Sequence, residues 1–156
     1  MPPSTPSRRV LAIASGGGHW VQLRRLRPAF EGFEVAYVSV MADYADDVPG
    51  HCFYAVTNMT RFNLAALLVL APQLLRILIK ERPHAVITTG SAPGLIALAL
   101  TKIFAPRART MWIDSIANCE RMSTSGSQAR RFADRWLTQW PDLAHAGGPE
   151  YWGAVL

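Results

Sequence analysis

Three short stretches of this 156-residue chain have residue types and spacing suited to chemistry. The first is Ser15-Gly16-Gly17-Gly18-His19. Glycines let a backbone turn sharply and bring several N–H groups close to a ligand. A helix that starts right after such a turn favours negative charge. Histidine is the side chain suited to proton transfer near neutral pH, so His19 is a candidate general base. The plainer reading is a tight turn with a histidine cap. The pattern is not the dinucleotide fingerprint, because Val21 stands where the third glycine belongs, and no Gly-Lys-Ser/Thr follows to make a phosphate loop of the Walker type.

The second stretch is Thr88-Thr89-Gly90-Ser91-Ala92-Pro93-Gly94. Small hydroxyl residues and a glycine before a helix form another anion-friendly turn, with Thr89, Gly90, Ser91 and Gly94 as its candidate lining. Capping explains much of the same pattern: Ser91 as the cap, Pro93 in the first turn. The third is Asp114-Ser115, followed by Ser123-Thr124-Ser125-Gly126. Asp114 is a candidate base or ligand-orienting group, and equally a candidate turn cap. The four histidines (His19, His51, His84 and His145) have no zinc spacing, and no Gly-x-Ser-x-Gly elbow is present, so neither a metal nor a cofactor is expected.

The elements that would position these residues are legible from hydrophobic pattern. Val10–Ala14 is a continuous apolar run, as in a buried parallel strand, and it stops at the three glycines. A helix is expected over 19–30, a strand over 33–40, an acidic loop over 41–50 and a strand over 51–56. A long helical stretch follows over 61–80, with Pro72 expected to kink or restart it. Further strands are expected at 85–88, 109–113 and 135–139, and helices at 95–104 and 127–133, with a loop over 114–126 and a tail from Pro141. Strands alternating with helices imply a parallel sheet covered on both faces, with ligands beyond the carboxyl ends of the strands. Both glycine-containing turns then lie on one edge.

The helix over 64–79 carries a stripe of Leu64, Leu67, Leu68, Ala71, Leu74, Leu75 and Leu78, and has little polar face before Pro72. That pattern suits either a core helix or a membrane contact through Leu64, Leu67, Leu68 and Leu75. The run before the proline is too short to span, so the contact would be interfacial. The net charge of +5, from 16 Lys and Arg against 11 Asp and Glu, suits phosphate ligands or anionic headgroups. Nucleic acid is not an expected partner, because the arginines are not interleaved with exposed aromatics. A dinucleotide oxidoreductase would want an acidic residue about 20 residues past the turn; Met41 and Ala42 come first there, with only Asp43 near that place. Cys52 and Cys119 are far apart and suggest no disulfide framework. Residues 1–8 read as a disordered tail with no secretion signal, 9–143 as one domain, and 144–156 as a C-terminal tail.

Together, Ala14–His19 with Gln22-Leu23, Thr88–Gly94, Trp112–Ser115 with Ser123–Gly126, and Leu137–Leu143 resemble the acceptor-side subunit of split GT-B glycosyltransferases. Its eukaryotic member anchors the UDP-GlcNAc transferase of N-glycan assembly. Bacterial PssD-type members act in capsule and exopolysaccharide synthesis. The resemblance implies a Rossmann-like domain equivalent to the N-terminal half of a GT-B enzyme. It implies a separate catalytic chain that binds the UDP-sugar, a polyprenyl-diphosphate-linked sugar acceptor, inverting transfer without a metal, and inactivity without the partner. Peripheral attachment to the cytoplasmic face of the inner membrane is implied as well. By position, His19 and Asp114 map as candidate catalytic residues. Gly16, Gly17, Gly18, Thr89, Gly90, Ser91, Gly94 and Ser115 map to the acceptor and phosphate site, and Tyr151 and Trp152 to partner docking. A nonenzymatic scaffold that recruits the catalytic subunit is the alternative.

Overall fold

The computed structural model describes residues 7–60 and 62–155. Of the expected tail over residues 1–8, residues 1–6 lie outside the described residues. Among the described residues, seven strands make one sheet: β1 (Arg9–Ile13), β2 (Glu34–Ser39), β3 (Cys52–Ala55), β4 (Ala85–Thr88), β5 (Arg109–Ile113), β6 (Arg135–Thr138) and β7 (Glu150–Tyr151). Their order is β3-β2-β1-β4-β5-β6-β7, and every pairing is parallel. Leu11 of β1 sits opposite Ala36 on one side and Val86 on the other. A strand placed there needs apolar residues on both faces, which is why Val10–Ile13 is a run and not an alternation.

Among the described residues, four α-helices cover the sheet: α1 (Gly18–Arg25), α2 (Leu67–Glu81), α3 (Ser91–Phe104) and α4 (Thr124–Ala129). On one face Leu11, Ile13, Ala36, Val38, Val86 and Trp112 pack against α2, α3 and α4 through Leu70, Leu74, Leu78, Leu98 and Ala129. On the other, Val10, Ala12, Val35 and Tyr37 pack against Trp20, Leu23 and Phe30 of the α1 region and Val48. The expected Rossmann-like sheet with helices on both faces is the observed fold, but the coverage is unequal. Over β4–β6 the second face is left as an apolar groove of about 460 Å³, floored by Ile87, Met111 and Ile113, between Phe30 and Trp152–Val155.

The chain runs outward from β1 to β3, then returns through α2 to lay β4 beside β1. The connections leaving β1 and β4 therefore diverge, opening a crevice above their carboxyl ends, where doubly wound sheets bind ligands. Several boundaries differ from expectation for local reasons. Pro28 has no N–H and disfavours the α conformation before it, so α1 stops at Arg25 and the chain continues as a 3-10 turn over Arg27–Phe30. The acidic loop contains a 3-10 turn over Ala42–Asp47. α2 starts at Leu67 after a 3-10 turn over Leu64–Ala66 and passes through Pro72 without restarting. α3 begins four residues early because Gly90 caps it, and α4 begins at Thr124 because the Ser123 hydroxyl accepts the Gly126 N–H. Glu150–Tyr151, expected in the tail, adds a seventh strand.

Candidate functional site

Two helices start at the crevice, each capped by a glycine that no other residue replaces without strain. Gly17, the N-cap of α1, has φ +64° and ψ −133°; Gly90, the N-cap of α3, has φ +124° and ψ −176°. Neither helix has a side-chain cap or an acidic residue in its first turn. Among the described residues, no side-chain cap or acidic group offsets their first N–H groups and dipoles, which makes the crevice a favourable place for an anion. The two starts are tied together reciprocally. The Thr89 hydroxyl donates to the His19 carbonyl at 2.6 Å, and His19 Nδ1 lies 2.8 Å from the Thr89 carbonyl. A carbonyl can only accept, so Nδ1 carries the hydrogen, and the Nε2 of the neutral ring holds a lone pair. No residue among those described takes that lone pair. The imidazole packs against Gly90 through its Nδ1–Cε1 edge, where any Cβ would stand 2.7 Å from Nδ1 and Cε1.

Ser91 follows at φ +76°, a left-handed conformation that costs a serine on the order of 1–3 kcal/mol. It is not the cap that the sequence pattern suggests. Its hydroxyl is buried and has no hydrogen-bond partner among the described residues. Gly94 faces β4 and not the crevice: a Cβ there would collide with Thr88 Oγ1 at 2.0 Å, so its role is the close seating of α3. A Cβ at Gly18 would meet nothing within 4 Å, and one at Gly16 would come into ordinary contact with Val40, Met41 and Tyr44.

Asp114 is buried at the end of β5, and both of its oxygens are engaged. Oδ1 accepts from Trp112 Nε1 at 3.0 Å and from the Ser123 hydroxyl at 2.6 Å; Oδ2 accepts from Asn118 Nδ2 at 3.0 Å and the Ser123 N–H at 2.8 Å. Four donors on one carboxylate hold the 115–123 loop and the start of α4, so the geometry is that of a positioning group. Ser115 Oγ accepts from Gln22 Nε2 at 3.1 Å, and Gln22 Oε1 accepts the Ile116 N–H and Gln139 Nε2. Gln139 Nε2 also donates to the Asp114 carbonyl, and its Oε1 accepts the Val155 N–H at 2.7 Å. Gln22 and Gln139 lie in stretches that carry the family resemblance but are not among the site residues mapped from it. The readable signal for Gln22 is its i+3 spacing from His19, which puts both on one face of α1.

The apolar stripe over 64–79 divides along its length. Leu70, Leu74, Ile77 and Leu78 are buried, Leu75 is half-buried, and the start of the helix is bare: Leu64 is 65% exposed, Leu68 80% and Phe62 85%, with Leu67 and Val69 beside them. This end of α2 follows β3 and so lies at the same sheet edge as the crevice. No helix among the described residues is long and apolar enough to cross a membrane. Tyr151 and Trp152 are both exposed, with the Arg135 guanidinium 5.6 Å from the Trp152 ring centre.

The family model for oligosaccharide biosynthesis protein Alg14-like proteins matches residues 53–155, well over half of the chain. The chain belongs to the Alg14-like family. Within it, the UDP-N-acetylglucosamine transferase subunit ALG14 of Eremothecium gossypii is 26% identical over 183 residues, spanning 97% of this chain and 81% of that protein. The same subunit of Yarrowia lipolytica is 33% identical over 69 residues, 42% of this chain and 32% of that protein. Among solved structures, MurG of Acinetobacter baumannii superposes with a TM-score of 0.73 at 13% identity, covering 92% of this chain but only 45% of MurG. The Alg14-like chain thus spans less than half of that protein, and its fold resembles the N-terminal half of a GT-B enzyme.

Proposed function

We propose that this Alg14-like chain is the acceptor-binding and membrane-recruiting half of a two-chain glycosyltransferase. Its acceptor is a sugar carried on polyprenyl diphosphate, and a separate catalytic subunit brings the UDP-sugar. The setting is exopolysaccharide or capsule synthesis of the PssD type, at the cytoplasmic face of the inner membrane. One observation carries the reading: two uncapped, glycine-started helices, locked together through His19 and Thr89, converge above the switch point of the sheet. The diphosphate sits against those helix starts, with Gly16–Gly18, Thr89, Gly90 and the Ser91 turn around it. The exposed Leu64, Leu67 and Leu68 rest in the interface, with the lipid chain beside them. The partner docks along Tyr151, Trp152 and the neighbouring groove.

In the reaction, the acceptor hydroxyl gives its proton to His19 Nε2 as its oxygen attacks the anomeric carbon, and the carbon–oxygen bond to UDP breaks with the electron pair leaving on the nucleotide. Attack from the face opposite the leaving group inverts the centre. Asp114 acts by holding the 115–123 loop, and no proton passes through it. The test is His19→Ala in the reconstituted pair. Loss of a general base lowers turnover about 10²–10⁴-fold while the two chains still copurify. Full turnover in an intact complex removes the catalytic role and leaves a scaffold that recruits its partner.

A further inference from the structure

Tyr44 lies in the 3-10 turn over Ala42–Asp47, a segment whose acidic composition reads as a plain loop. Its phenolic oxygen accepts the Gly17 N–H at 3.0 Å, which fixes the cap residue of α1 from outside the helix. The same oxygen is 3.5 Å from where a Gly16 Cβ would stand, so it sits directly over the glycine turn. A phenol accepts and also donates one hydrogen. Among the described residues, the Tyr44 O–H has no acceptor of its own. Its ring cannot wander in search of one. It stacks on Trp20 with centroids 4.9 Å apart and planes 5° from parallel. Trp20 is itself held by Nε1 donating to Asp47 at 2.8 Å and by edge contacts to Tyr37 and Phe53. The hydroxyl is therefore a pre-positioned donor beside a helix start that is short of acceptors.

We propose that Tyr44 is a further ligand-contacting residue of the crevice. Its oxygen stays on the Gly17 N–H while its hydrogen is donated to an anionic oxygen of the diphosphate held at the α1 start. The role rests on the reading of the turn as the seat of the diphosphate. The arrangement suits an anion because donation to a charged oxygen is the stronger kind of hydrogen bond. The Gly17 N–H polarises the phenol further toward donation. Little side-chain freedom remains to be lost, since the stack on Trp20 already fixes the ring. A phenol adds a directed hydrogen without adding charge, so it reads the place of an oxygen on the ligand rather than the ligand's total charge.

The experiment titrates inorganic pyrophosphate into the full chain, followed by calorimetry and by the amide signals of Gly16–Trp20. Tyr44→Phe keeps the ring and its stack and removes only the hydroxyl. The expected result is an affinity about ten-fold weaker, the loss of one hydrogen bond to a charged group. The released Gly17 N–H is exposed, so the melting temperature should fall by no more than about 2–4 °C, and the Gly18, His19 and Trp20 amides of the free variant should stay where they are. Undiminished affinity in Tyr44→Phe overturns the role of Tyr44 while leaving the reading of the turn intact. A weakened affinity accompanied by displaced Gly18–Trp20 amides in the free variant also overturns it, because the hydroxyl would then act only by shaping the turn. If pyrophosphate leaves the Gly16–Trp20 amides of the natural sequence unmoved, the reading of the turn fails and Tyr44 with it.

Discussion

Replacing Gly90 by alanine puts two independent costs on one atom. The backbone there, φ +124° and ψ −176°, lies in a region essentially confined to glycine, and an L residue in it costs on the order of 1–3 kcal/mol. The added Cβ would also stand 2.7 Å from Nδ1 and Cε1 of His19, so the imidazole must move. Moving it breaks the bond to the Thr89 carbonyl, worth about 1 kcal/mol net. The sum is roughly 2–4 kcal/mol, and at about 2–4 °C per kcal/mol for a domain of this size the melting temperature should fall by roughly 4–16 °C. Gly18→Ala is the matched control. Gly18 has no positive φ, and a Cβ there meets nothing within 4 Å, so its melting temperature should hold. Thermal unfolding of the two variants beside the natural sequence, with the His19 ring signals followed in parallel, gives the answer. Equal melting of all three, or a His19 ring undisturbed in Gly90→Ala, would refute the account of how the imidazole is fixed.

Other residues give separate tests. Asp114→Ala strands the buried Trp112 Nε1 and the Ser123 N–H and hydroxyl, so chemical denaturation should show a loss of about 3 kcal/mol or more; a loss near zero would mean that the carboxylate is not the anchor of its loop. Burial raises the Asp134 carboxyl, but hydrogen bonds from Lys102 Nζ and the Thr110 N–H outweigh it and hold the group below the ordinary aspartate range. Its stabilising contribution is therefore intact above about pH 4 and lost as the pH falls through the lower folded value, so Asp134→Asn should flatten that part of the acid-unfolding curve. An unchanged acid limb in the variant would contradict this. Leu68→Glu places a charge on a side chain that is 80% exposed, so it should leave the melting temperature alone and weaken binding to anionic lipid vesicles. Unaltered vesicle binding would separate this patch from the membrane.

The sheet was readable because central parallel strands must be apolar on both faces, and Val10–Ile13 advertises that in a single run. The turns were readable because Gly16–Gly18 and Gly90 interrupt those runs where helices begin. Less visible was what depends on meeting in space. Nothing in the stretch 41–50 announces that Tyr44 reaches back to Gly17 across 27 positions, or that Trp20 lies flat against it. The two ends of the 64–79 stripe look alike in sequence because Leu64, Leu67 and Leu68 satisfy the same helical period as Leu70, Leu74 and Leu78, and only packing against the sheet decides which set is covered. Asp114 reads equally as a base or a turn cap because a strand-end carboxylate has the same appearance whether its oxygens are free or spoken for; the four donors come from Trp112, Asn118 and Ser123.

Gln139 joins parts of the molecule that lie far apart along the chain. One end of its amide grips the Val155 N–H, and the other reaches Gln22, a single helical turn from His19. A partner that reseats residues 152–155 would have to break the Val155 bond to that amide, whose other end is bonded to the helix that carries the imidazole. On the two-chain reading proposed above, assembly and ligand capture then share a thermodynamic variable. Whatever factor the bound ligand contributes to the grip of the second chain, the second chain must return to the ligand in equal measure.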